Sequence, residues 1–83
     1  MKYYAQMIIA TGSYTQYLDR PEEIKKEEFT QRTINDWCES YIVDNYGHDE
    51  DEQKESGAPD IDCLGFVLTD EDGNEIETLF HRA

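Results

Sequence analysis

The sequence predicts an α+β domain in which one long helix packs on an antiparallel sheet of three to four strands, in the order strand, strand, helix, strand, strand. Three observations carry this expectation. Only one stretch, Glu28 to Tyr46, has a clear helical period. Ahead of it, Tyr3 to Ala10 and Tyr14 to Leu18 alternate with period two on either side of Thr11-Gly12-Ser13. Behind it, CLGFVLT and IETLF alternate on either side of Asp70-Glu71-Asp72-Gly73-Asn74-Glu75.

In the first strand Tyr3, Ala5, Met7 and Ile9 share one face and Tyr4, Gln6, Ile8 and Ala10 the other. Both faces are apolar enough to place it centrally in its sheet. Tyr14 to Leu18 reads as the return strand of a hairpin, with an extended excursion as the alternative. Asp19-Arg20-Pro21-Glu22 resembles a helix start, with Asp19 as cap and Pro21 in the first turn, so a short helix is expected over Pro21 to Lys26. The main helix, roughly 27–46, turns Ile34, Trp37, Cys38, Tyr41 and Ile42 towards the sheet and Glu28, Gln31, Arg32, Asn35, Asp36 and Glu39 away from it. Gly47 should end it, as the residue that takes a left-handed conformation without penalty. Residues 47–60 have no apolar period and carry Asp49, Glu50, Asp51, Glu52, Glu55 and Asp60 against Lys54, which predicts an exposed, structureless acidic loop. In the closing hairpin Leu64, Phe66 and Leu68 share a face, and strict alternation puts Glu75, Glu77 and Leu79 together on the return strand.

At 83 residues the chain has room for one modest core, hence a single domain, 1–83. Apolar residues make up only 37% while aromatics reach 12%, so the core must lean on rings. Charge is the outstanding property: 20 Asp and Glu against 7 Lys and Arg give −13. Residues 27–83 hold seventeen acids and three bases, a net −14, whereas residues 1–26 sum to +1. Self-repulsion of this size costs stability, and a basic partner accounts for it better than solubility does. Nucleic-acid binding is disfavoured, since phosphate neutralisation needs clustered Lys and Arg. The segment after Met1 and Lys2 is too short and too aromatic for a leader or a span, and an acidic surface is repelled by anionic headgroups. Cys38 and Cys63 have neither metal spacing nor a CxxC pairing, and read as reduced thiols in a cytoplasmic protein.

No arrangement supports catalysis, so a non-enzymatic protein without cofactor or stable metal site is expected. Asp70 to Glu75 places glycine fourth, where a calcium loop needs it sixth, and is flanked by strands. The carboxylates lie in solvated runs rather than a cleft. His48 and His81 are isolated in sequence, and Ser13, Ser40 and Ser56 lack a glycine-framed elbow. The acids themselves remain. Helical residues four apart lie about 6 Å from one another and strand residues two apart nearly 7 Å, close to the spacing of phosphates along a nucleic-acid strand. Asp36 and Glu39 on the helix, Asp49, Glu50, Asp51 and Glu52 after it, and Asp70, Asp72, Glu75 and Glu77 on the hairpin are therefore the candidate partner-binding residues.

In length, net charge, aromatic content and element order the chain resembles the small acidic inhibitors of phages and mobile elements. These include anti-CRISPR, anti-restriction and glycosylase-inhibitor proteins that mimic DNA. FVLTDEDGNEIETLF looks like the closing hairpin of phage uracil-DNA glycosylase inhibitor, although that family's Glu-Ser-Ile recognition strand has no counterpart here. The resemblance implies a cytoplasmic inhibitor whose partner is a basic nucleic-acid-binding protein: a CRISPR effector, a restriction enzyme or a DNA-repair enzyme. The competing expectation is a protein-interaction module or antitoxin-like regulator that uses an exposed hairpin edge, and a homodimer is compatible with either.

Overall fold

The computed structural model describes residues 1–82. It is an α+β domain: β1 (Tyr3–Thr11), β2 (Tyr14–Ile24), a 3-10 turn at Lys26–Glu28, α1 (Gln31–Tyr46), α2 (Glu50–Glu55), a second 3-10 turn at Ile61–Cys63, β3 (Leu64–Asp70) and β4 (Glu75–Phe80). The four strands form one antiparallel sheet in the order β2-β1-β3-β4, with β1 in the centre as its two apolar faces predict. α1 packs on one face, where Ile34, Cys38 and Ile42 meet Ala5, Met7, Leu64, Phe66 and Leu68. Ile8 and Val67, on the alternate positions of β1 and β3, are buried on the opposite face. There the phenol of Tyr17 donates 2.8 Å to Glu75 Oε1, linking the two edge strands.

The helix starts later than its period suggests. Thr30 caps it by accepting from the Thr33 N–H at 3.3 Å, and Phe29 is buried at the bend between the 3-10 turn and α1. It ends at Gly47 as expected (φ 102°), with the Gly47 N–H bonded to the Val43 carbonyl at 3.1 Å. Trp37 is not core but 37% exposed, set edge-on against Phe66 with ring centroids 5.3 Å apart, and Tyr41 is half-buried. The buried stripe is centred about half a helical step or less further round, on Ile34, Cys38 and Ile42.

Three further expectations fail for identifiable reasons. The short helix over Pro21 to Lys26 is absent, because β2 runs on to Ile24: Glu22, Glu23 and Ile24 pair with Ala5, Tyr4 and Tyr3. Asp19, Arg20 and Pro21 form an irregularity opposite Gln6, with Asp19 at φ 58° and its carbonyl accepting from Gln6 Nε2 at 3.0 Å. Proline is tolerated at such a place on an edge strand because no ladder hydrogen bond needs its missing N–H. Residues 47–60 are exposed in large part but not structureless. Glu50, Asp51 and Glu52 occupy the first turn of α2, where negative charge complements the helix dipole, and Gln53 Nε2 donates to the Gly47 carbonyl at 2.9 Å. In β4, an extra residue at Ile76 breaks the alternation. Glu77 pairs with Leu68 and Glu75 with Thr69, so the two glutamates face opposite sides of the sheet.

Candidate protein-binding surface

The candidate acids fall into three groups. The first surrounds the returning chain after β4. Gln31 Nε2 donates to the Phe80 carbonyl at 2.6 Å. The Asn35 side chain pairs with the Arg82 backbone like a strand neighbour: Oδ1 accepts from the Arg82 N–H at 3.0 Å and Nδ2 donates to its carbonyl at 2.8 Å. Held this way, His81 is not isolated. Its imidazole is nearly buried, with Nε2 3.6 Å from Glu39 Oε2 and Nδ1 3.3 Å from Asp62 Oδ1. Only the contact with Asp62 is within hydrogen-bond distance, and the Glu39 carboxylate stands further off as a neighbour of the ring. Glu39 and Asp62, remote in sequence, thereby become neighbours, with Asp36 exposed one turn before Glu39 on α1. Asp62 was missing from the sequence-derived set, since nothing local to it shows where the chain after β4 returns.

The second group is α2, whose Glu50, Asp51 and Glu52 are exposed behind the exposed Asp49. The third is the β3–β4 connection, and here one carboxylate is already committed. Asp70 Oδ1 accepts from the N–H groups of Asp72 and Asn74, each at 2.9 Å, and Oδ2 from Asn74 Nδ2 at 3.2 Å. Those bonds, the backbone one from Asn74 foremost, hold its pKa below the ordinary carboxylate range. The stabilisation they give the turn is present above the ordinary pKa and is lost as pH falls through the lowered value. Asp70 thus builds the turn that presents Asp72, which is exposed. Glu75 holds the Tyr17 phenol, whose pKa is raised by that hydrogen bond and by the carboxylate's charge. The acids do not form one patch. β3 starts beside the second 3-10 turn and ends at Asp70, so its length separates the group around His81 from the hairpin turn.

Sequence periodicity also missed a groove of about 700 Å³ beside Trp37. Its apolar walls include Ala5, Met7, Trp37 and Phe66, while Lys2, Arg20, Lys25 and Lys26 on its margin are interleaved with Glu22, Glu23, Glu27 and Glu28. Lys2 Nζ lies 4.0 Å from Glu23 Oε1, and Lys26 Nζ stands 5.6 Å from the centroid of the Tyr3 ring. Four of the chain's seven Lys and Arg therefore line a charge-balanced groove, which leaves the acids elsewhere with few intramolecular counter-charges.

Both cysteines are free, Cys38 buried in α1 and Cys63 half-buried. Burial raises the Cys38 thiol to about 11, with the Glu39 charge adding to the effect. Alkylation of the native protein at mildly alkaline pH is expected to modify Cys63 first and to reach Cys38 only on unfolding, since the thiolate is the reactive form. Peptide mapping of the modified protein checks this, and equal labelling would place Cys38 outside the core.

Among the described residues no group of three or more His, Cys, Asp or Glu is arranged to hold a metal ion, and no helix is long and apolar enough to cross a membrane. Compared with protein-family models, with curated proteins and with solved structures, the chain matches none.

Proposed function

We propose that this protein is a non-enzymatic, cytoplasmic inhibitor that occupies the basic nucleic-acid-binding site of a host defence or DNA-processing protein. The observation that carries this reading is the one-sided charge of residues 27–83, seventeen acids against three bases. A surface tuned for solubility alone has no need of such bias. Asp36, Glu39 and Asp62, the first turn of α2, and Asp72 with Glu77 supply carboxylates in place of phosphates. The host cytoplasm would be its place of action if a phage encodes it. A second reading, an interaction module that binds through a strand edge, is favoured by the exposed Tyr14 and Tyr17 on β2.

The two readings differ in their response to salt. Binding of the basic partner is expected to weaken at least about tenfold between low salt and about half-molar salt, where the Debye length contracts to a few ångström, and to be displaced by DNA. Neutralising Asp49, Glu50, Asp51 and Glu52 to Asn and Gln should slow association, whereas Glu39→Gln should speed dissociation if that carboxylate sits in the contact. Capture from a bacterial lysate followed by DNA competition and titration at rising salt measures both. An affinity indifferent to salt and to DNA rejects charge mimicry and leaves the strand-edge module.

A further inference from the structure

Residues 3–18 contain no Asp, Glu, Lys, Arg or His, sixteen consecutive uncharged residues in a chain that is one-third charged. They fold as β1 and the first half of β2, and β2 is an edge of the sheet. Ala10 and Thr11 run beyond Leu64, the β3 residue opposite Ile9, so the hairpin tip projects past the third strand. Tyr14 is 64% exposed and Tyr17 53%.

The two edges of this sheet are treated differently. β4 carries Glu75 and Glu77, a bulge at Ile76, and contacts from Gln31 to its last carbonyl. The second half of β2 is broken by the positive φ of Asp19 and by Pro21. Charges, bulges and proline are the devices that keep an edge from pairing. Tyr14 to Leu18 has none of them. In a hairpin with a two-residue loop the closing pair, here Thr11 and Tyr14, exchanges both hydrogen bonds, and the alternation continues along the ladder. Tyr14, Gln16 and Leu18 therefore turn their backbone groups to β1, while Thr15 and Tyr17 turn theirs outward.

We propose that Tyr14–Leu18 pairs with the same segment of a second copy of this chain, antiparallel about a two-fold axis at Gln16, joining two sheets into one of eight strands. An antiparallel edge is complementary to itself under a two-fold rotation, so Thr15 of one copy exchanges hydrogen bonds with Tyr17 of the other and the reverse. Gln16 then faces Gln16 across the axis as a non-hydrogen-bonded pair, where side chains approach most closely. A second copy fits better than an oppositely charged partner because the segment offers no charge to attract one. It also lets two molecules of −13 meet with no charged side chain among the five paired residues of either copy. This pairing does not depend on the inhibitor reading, and the two differ in the sign of their salt response: basic-partner binding weakens with salt, while like-charged copies associate more tightly as salt screens them.

Sedimentation equilibrium of the full chain at low and about half-molar salt tests the proposal. The expected mass rises with protein concentration from the monomer's 9.7 kDa to twice that value, with a dissociation constant several-fold lower at high salt. A monomer mass throughout, or an association weakened by salt, overturns it. Thr15→Pro removes an outward N–H without touching the β1 ladder, and Gln16→Glu sets like charges across the axis. Each should abolish the dimer with the circular dichroism spectrum unchanged, and a dimer that survives Gln16→Glu overturns the two-fold pairing. Mixing Gln16→Glu with Gln16→Lys should restore association through opposite charges at the axis, and failure to restore it also counts against the proposal.

Discussion

Ile34→Ala is expected to lower the free energy of unfolding by about 2–5 kcal/mol, measured by chemical denaturation. Ile34 is fully buried in the stripe that joins α1 to the core with Leu64, Leu68 and Phe66, and it belongs to the long helix that covers the sheet. Its removal leaves a cavity whose walls are a helix and two strands, elements that cannot close in without shifting hydrogen-bonded backbone. Trp37→Ala provides the contrast. A fully buried ring costs about 3–5 kcal/mol when truncated, and Trp37, 37% exposed with one side on the groove, should cost less than that. A loss of the full amount at Trp37 with little at Ile34 would require α1 to be rotated about its axis from the packing described above.

That rotation marks the limit of what periodicity conveys. The helix, its stop at Gly47, the central place of β1 and the pairing of Leu64, Phe66 and Leu68 on one face were legible because each depends on local pattern or backbone freedom. Ile34, Trp37, Cys38, Tyr41 and Ile42 all fall within the arc expected to face the sheet, and which side of that arc is covered depends on how α1 leans over the sheet, which the period does not record. Asp19-Arg20-Pro21-Glu22 has the chemistry of a helix start, but pairing of Glu22 to Ile24 with β1 overrode it, as tertiary contacts routinely override propensity. The acids of α2 read as a loop because no apolar residue marks a buried face. Six residues need none when the charges sit at the positive end of a short helix. Of the candidate surface, the sequence identifies which residues are acidic. It does not reveal that Asp70 is spent on its own turn, that Glu75 and Glu77 diverge, or that His81 draws Glu39 and Asp62 together, because each depends on a bulge or on the path of the chain after β4.

Gly65→Ala should destabilise the fold by about 1–3 kcal/mol or more, through crowding of backbone rather than loss of burial. Gly65 lies opposite Phe80, and a Cβ placed there would stand 2.5 Å from the Leu79 carbonyl oxygen, 2.8 Å from Phe80 Cδ1 and 2.9 Å from Phe80 Cα. A ring can rotate away, but a carbonyl moves only with its strand, so β4 must shift away from β3. The shift would not remain local. The Phe80 carbonyl accepts from Gln31, the Arg82 backbone is held by Asn35, and the His81 N–H donates to the Leu64 carbonyl at 2.9 Å. Displacing β4 loosens all three contacts and with them the imidazole between Glu39 and Asp62. The variant should therefore show both a lower denaturation midpoint and a perturbed His81 ring resonance in NMR spectra at temperatures where it remains folded. Removing the ring as well, in Gly65→Ala with Phe80→Ala, should not recover stability, because the Leu79 carbonyl still blocks the methyl. Recovery in the double variant would locate the obstruction in the ring alone and would leave the β3–β4 backbone free to accept a side chain at position 65.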